Sequence, residues 1–154
     1  MPQNFFHAIN LRKGRFSQFG QIYLITTVTQ GRDPLFRNLY YARIVIGSLT
    51  YLHQKEYAQS LAFVLMPDHL HWLFSLGLEK NLSEVIHSLK RHTSREINKH
   101  LLKQQPIWQA GFYDHALRKE EDIKHAARYV VANPLRAKIV NSIGDYPHWD
   151  AVWL

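Results

Sequence analysis

The 154-residue chain is 46% hydrophobic and 20% charged, the make-up of one globular domain with a sizeable core. It has no cysteine, which excludes disulfides, thiolate metal sites and a cysteine nucleophile, and no apolar run long enough to span a bilayer. Nineteen Lys and Arg against twelve Asp and Glu give a net charge of +7 and a pI near 9.7, so a polyanion is the expected partner.

In chain order, Met1-Pro2-Gln3-Asn4 lacks a basic segment followed by an apolar run, so no signal peptide is expected and a cytoplasmic location is the default. Residues 1–19 read as a basic arm carrying Arg12, Lys13 and Arg15 before Gly20. Gln21 to Val28 has the Ile, Thr, Val and Tyr content of a buried strand. Gly31-Arg32-Asp33-Pro34 reads as a loop. From about Arg37 to Lys55, Leu39, Ile44, Val45, Ile46, Leu49 and Leu52 predict a helix packed on a sheet.

Leu61 to Met66 is an apolar strand, Pro67-Asp68 a tight turn, and His69 to Leu76 the returning strand. In that strand Leu70, Trp72, Phe74 and Leu76 share one face; His69, His71, Leu73 and Ser75 share the other. Asn81, with Glu84 three residues on, forms a helix-starting signal. Leu82, Val85, Ile86, Leu89, Ile97 and Leu101 recur at helical spacing, and Pro106 closes the segment. Trp108 to Leu117 reads as a strand or an ordered loop. Glu120, Glu121 and Asp122 open a last helix at its positive dipole end, and Pro134 marks its approximate end. No linker or repeat divides the chain, so residues 1–154 read as one domain. The expected fold is α+β: a ferredoxin-like βαββαβ sheet with helices on one face, plus a C-terminal catalytic helix.

The histidine pair is the first candidate for chemistry. Two imidazoles at i and i+2 on a strand point the same way and can hold a divalent metal. With ten histidines in 154 residues, that spacing also arises readily by chance. On the last helix Ile123, Ala127, Val130 and Pro134 form the core stripe, and Asp122, His125, Tyr129 and Asn133 lie along its flank. Tyr129 and Asn133, at i and i+4, are surface neighbours. They fit a core-edge tyrosine beside a helix-end asparagine. On helical spacing alone that reading is favoured; if the flank faces the histidines, they fit a phosphodiester-cleaving site. In the second reading His69, His71 and the Asn133 amide oxygen hold a metal, Mn²⁺ by ligand type with Mg²⁺ usable, and Tyr129 attacks a DNA phosphate. The product is a 5′-phosphotyrosine link that can be rejoined without a nucleotide cofactor.

Met66-Pro67-Asp68-His69-Leu70-His71 resembles the His-hydrophobe-His motif of the single-tyrosine HUH transposases. Three further stretches are similar to one branch of them, the REP-associated tyrosine transposases: Trp108 to Arg118, Ala127 to Ala137 and Asp145 to Asp150. The resemblance runs from about Gly20 to Trp153, with its motifs in order. It implies Tyr129 as nucleophile and His69 and His71 as metal ligands. Relatives with a glutamine four residues after the tyrosine use it as third ligand; Asn133, one methylene shorter, stands there, with His115 and His125 as fallbacks. The implied substrate is single-stranded DNA folded as a palindromic REP-type hairpin, nicked and rejoined by a monomer or homodimer. Tyr113, within a family-like motif, is the rival nucleophile. Lys90, Arg91, Arg95 and Lys99 on the helix, with Arg12, Lys13 and Arg15 in the arm, are the candidate DNA contacts. An inactive or domesticated hairpin-binding protein is the alternative, and a hydrolase using activated water a third possibility.

Overall fold

The computed structural model describes residues 19–152; the arm residues Arg12, Lys13 and Arg15 lie outside the described residues. The elements are β1 (Ile22–Val28), α1 (Leu39–Gln54), β2 (Ala58–Met66), β3 (His69–Leu76), α2 (Leu82–Leu101), β4 (Tyr113–Leu117), α3 (Glu120–Val131), α4 (Asn133–Arg136) and β5 (Trp149–Ala151). The five strands lie in the order β4-β1-β3-β2-β5, every neighbouring pair antiparallel. β1-α1-β2 and β3-α2-β4 therefore each step over one intervening strand, which is the expected βαββαβ arrangement. β5 is an addition at the β2 edge.

Period-two alternation in the central strands buries both faces of the sheet. On one face Tyr23, Ile25, Leu70, Trp72 and Phe74 pack under α1 and α2, through Val45, Leu49, Leu52, Val85, Ile86 and Leu89. On the other, Leu24, Val64, Met66 and Leu73 receive Ile123, Ala126, Ala127, Val130 and Val131 of α3. The helix stripe expected from sequence is thus the buried one.

Local chemistry sets the boundaries. Asn81 and Glu84 close a reciprocal capping box at the start of α2. A Cβ at Gly77 would meet the Glu56 carbonyl oxygen at 2.0 Å, so only glycine lets the end of β3 pass the α1–β2 turn. Three observations revise the expected boundaries. The loop after β1 contains two 3₁₀ turns, Gln30–Arg32 and Leu35–Arg37. The fourth strand starts at Tyr113; Trp108 makes only an isolated bridge with Thr29. Pro134 does not stop the helical path. It occupies the first turn of α4, where its missing N–H leaves no bond unmade, and Ala132 at the joint keeps helical torsions (φ −81°, ψ −2°).

Candidate active site

The β2–β3 hairpin and its register build the site. His69 and His71 lie on the α3 side of β3, their ring centroids 4.8 Å apart and the planes at 81°. Each ring is held through its Nδ1. That of His69 lies 2.7 Å from Asp68 Oδ1, and that of His71 lies 2.7 Å from Thr26 Oγ1 on β1. The Asp68 carboxylate can only accept, so His69 donates its Nδ1–H to it and keeps the Nε2 lone pair for a metal; the Thr26 hydroxyl can donate or accept, and His71 has the same tautomer when that hydroxyl accepts.

Electrostatics favour the same state. Burial, helped by the neighbouring His69 and Arg136 charges, pushes His71 down to about 3. Burial also lowers His69, outweighing the hydrogen bond and charge of Asp68 that oppose it. Both rings are therefore neutral near pH 7, the form that ligates metal. Burial raises Asp68, but hydrogen bonds and charge from His69 and Arg32 outweigh it and hold the carboxyl below its usual range. Arg32 Nη1 lies 3.1 Å from Asp68 Oδ2, completing an Arg32–Asp68–His69 chain.

The α3–α4 helical path supplies the other side. Tyr129 and Asn133, both half-buried, are four residues apart on it, and Arg136 follows three later. The Arg136 guanidinium carbon sits 3.7 Å from the centre of the Tyr129 ring, and its charge reaches His71. Tyr129, Arg136 and the histidine pair thus occupy one side of the sheet. No cluster of three His, Cys, Asp or Glu side chains suited to a metal exists among the described residues. This corrects His115 and His125 as fallback third ligands: His115 lies on β4 in register with Leu24, and His125 on an exposed turn of α3. An imidazole pair with open Nε2 atoms has the donor chemistry that a divalent ion takes.

Tyr113 pairs with Thr26, which pairs with His71, so it stands on the histidine face one strand beyond the Thr26 support. The basic side chains of α2 fare differently. A groove of about 940 Å³ between α1 and α2 is lined by Tyr51, Lys80, His87, Arg91, His92 and Arg95, on the side of the sheet opposite the histidines. Lys99 is exposed and pairs with Glu96 at 3.3 Å. Lys90 departs from the expected phosphate contact. Its ammonium donates to the carbonyls of Gln109 and Gly111, tying α2 to the loop before β4, and burial lowers it to about 8.

A family model described as "Transposase IS200 like" matches residues 17–133. The chain belongs to the IS200-like transposase family. The REP-associated tyrosine transposase of Escherichia coli K12 is 28% identical over 87 residues, 56% of this chain and 50% of that protein. A Haemophilus influenzae Rd protein, provisionally named as a REP-associated tyrosine transposase, is 26% identical over 100 residues, 58% of this chain and 57% of its own length. The chain thus spans about half the length of these curated relatives. Among solved structures, a REP-associated tyrosine transposase bound to a REP hairpin aligns over 88% of this chain and 79% of its own, with a TM-score of 0.73 and 21% identity. A provisionally assigned transposase from Deinococcus radiodurans aligns over 76% and 93%, with a TM-score of 0.55 and 18% identity. At these identities the two structures establish the shared α+β fold.

For this IS200-like transposase, sequence patterns missed the outer supports of the site. Asp68 reads as a turn residue and Thr26 as a strand-former; only the hairpin and the β1–β3 register bring them to the imidazoles. Arg136 carried a signal that Pro134 masked, since positions 129, 133 and 136 follow the i, i+4, i+7 pattern of one helix face.

Proposed function

We propose that this chain is a metal-dependent single-strand DNA endonuclease and strand transferase that nicks and rejoins DNA beside palindromic hairpins through Tyr129. The observation that carries the reading is that Tyr129 lies on a helix packed on the same side of the sheet as His69 and His71, each of which is held through its Nδ1. The REP hairpin held by the structural relative supports hairpin DNA as the substrate class.

His69, His71 and the Asn133 amide oxygen would hold Mn²⁺ or Mg²⁺, imidazole favouring the former. When bound, the ion supplies Lewis-acid polarisation of a phosphate oxygen. Tyr129 Oη attacks phosphorus as its proton passes to solvent. The bond from phosphorus to the 3′ oxygen breaks, and that oxygen takes the electron pair and a proton. The resulting 5′-phosphotyrosine keeps the bond energy, so attack by a 3′ hydroxyl reverses the step and reseals a strand.

The α2 cations and the histidine site lie on opposite sides of the sheet. A DNA molecule that engages both must pass around a sheet edge, with its single-stranded part on the α3 side.

The test is a nicking assay on labelled hairpin oligonucleotides with Mn²⁺, comparing wild type, Tyr129→Phe, Tyr113→Phe and His71→Ala. The proposal expects nicking to vanish in Tyr129→Phe and His71→Ala and to persist in Tyr113→Phe. Binding without nicking by wild type, across metals and hairpins, would instead identify a hairpin-binding protein. Nicking that survives in Tyr129→Phe would move the nucleophile to Tyr113 or to water.

A further inference from the structure

We propose that Arg136 is a phosphate-holding residue of the site, gripping the DNA phosphate while Tyr129 Oη bonds to it. The inference rests on Tyr129 as nucleophile and adds a residue to that chemistry.

Three observations carry it. The guanidinium sits over the Tyr129 ring, its central carbon 3.7 Å from the ring centre. The phenol oxygen lies one C–O bond beyond the ring edge, so a phosphate bonded to that oxygen comes within hydrogen-bond reach of the guanidinium N–H groups. Next, Arg136 is exposed, and no carboxylate pairs with it among the described residues, so its fork is open to an anion. Last, its placement is built: the helical joint at Ala132 and the first-turn Pro134 carry the face of Tyr129 and Asn133 on to Arg136.

The chemistry matches. In phosphoryl transfer, charge spreads over the non-bridging oxygens, and an arginine fork can hold two of them at once. The histidine pair would hold a divalent ion that polarises a phosphate oxygen, and Arg136 adds N–H donors of this chain's own. Before DNA arrives, the same stacking keeps the Tyr129 ring from turning away from the site. Lysine could restore the charge but not the two-pronged grip.

The experiment uses wild type, Arg136→Gln, Arg136→Lys and Tyr129→Phe with labelled hairpin DNA and Mn²⁺. Single-turnover adduct formation at saturating DNA is measured separately from the binding constant, and thermal melts check folding. The proposal expects Arg136→Gln to slow adduct formation by about 10²–10³-fold, as loss of an oxyanion-type donor does, while affinity changes by less than about tenfold. Arg136→Lys should recover at least about tenfold of the lost rate, and it keeps the test valid should the glutamine variant melt early. A glutamine variant within about threefold of the wild-type rate, or a well-folded lysine variant no faster than glutamine, would overturn the proposal. An adduct in Tyr129→Phe would overturn the nucleophile assignment and this inference with it. Loss in Tyr129→Phe beside an unchanged Arg136→Gln would overturn this inference alone.

Discussion

The Nδ1 atom of His71 lies 2.7 Å from Thr26 Oγ1, directly across the β1–β3 ladder, so the pairing of two strands orients a candidate metal ligand. His69 has a different support, the carboxylate of its own chain neighbour. One imidazole is therefore held by a neutral hydroxyl and the other by an anion.

That asymmetry predicts unequal losses. Asp68→Asn removes the anion and weakens the basicity of His69, and Mn²⁺ affinity should fall by about 10–100-fold. Thr26→Val removes one neutral partner and should cost less, near the lower end of that range. Isothermal titration with Mn²⁺ in the absence of DNA measures both. Equal affinities in wild type and Asp68→Asn would show that the carboxylate does not support a ligand.

The α2 cations should separate by salt dependence. Arg91 and Arg95 are exposed on the groove side, so each change to Ala should weaken hairpin binding and reduce the salt slope of log affinity by about one phosphate contact. Lys90 already donates to two carbonyls and should change the slope little. Fluorescence polarisation across a salt series gives the slopes.

Lys90 should matter for stability instead. Lys90→Met leaves the Gln109 and Gly111 carbonyls without their donor and should cost about 1–3 kcal/mol in urea melts at pH 7. The pH sign follows from burial, which lowers the ammonium to about 8 from 10.5. Between those values the unfolded chain holds the proton more tightly, so this group raises stability as pH climbs through the window and lowers it as pH falls. The difference between wild type and Lys90→Met should widen from pH 8 to 10.5.

Tyr146 should act on the fold and leave the chemistry alone. Its buried hydroxyl donates to the Leu65 carbonyl, holding the segment before β5 against β2, and burial pushes the phenol up to about 12. Tyr146→Phe should lower stability by about 1–2 kcal/mol and leave the rate of adduct formation near that of wild type. Thermal melts and the nicking assay report the two effects separately.

Much of this architecture was legible in the residues. The alternation from His69 to Leu76 gives β3 its observed limits, and the Asn81–Glu84 spacing places the start of α2. The flank bearing Tyr129 and Asn133 follows from helical periodicity, and α3 does pack on the histidine face. The rest depends on tertiary pairing. β5 is only Trp149–Ala151 and exists because the edge of β2 offers a partner. Trp108 has strand character in isolation, yet its indole N–H donates to Thr93 on α2, and Lys90 anchors the adjoining loop. Lys90 looks like its basic neighbours in sequence; only its direction, inward to two carbonyls, sets it apart.

The central claim is that Tyr129 becomes covalently joined to DNA. The most direct measurement is mass spectrometry of the proteolysed adduct formed with hairpin DNA and Mn²⁺, locating the nucleotide-bearing peptide and residue. The account predicts a 5′-phosphate linkage on Tyr129, absent in Tyr129→Phe. A nucleotide on Tyr113, or efficient nicking with no protein–DNA linkage, would contradict it.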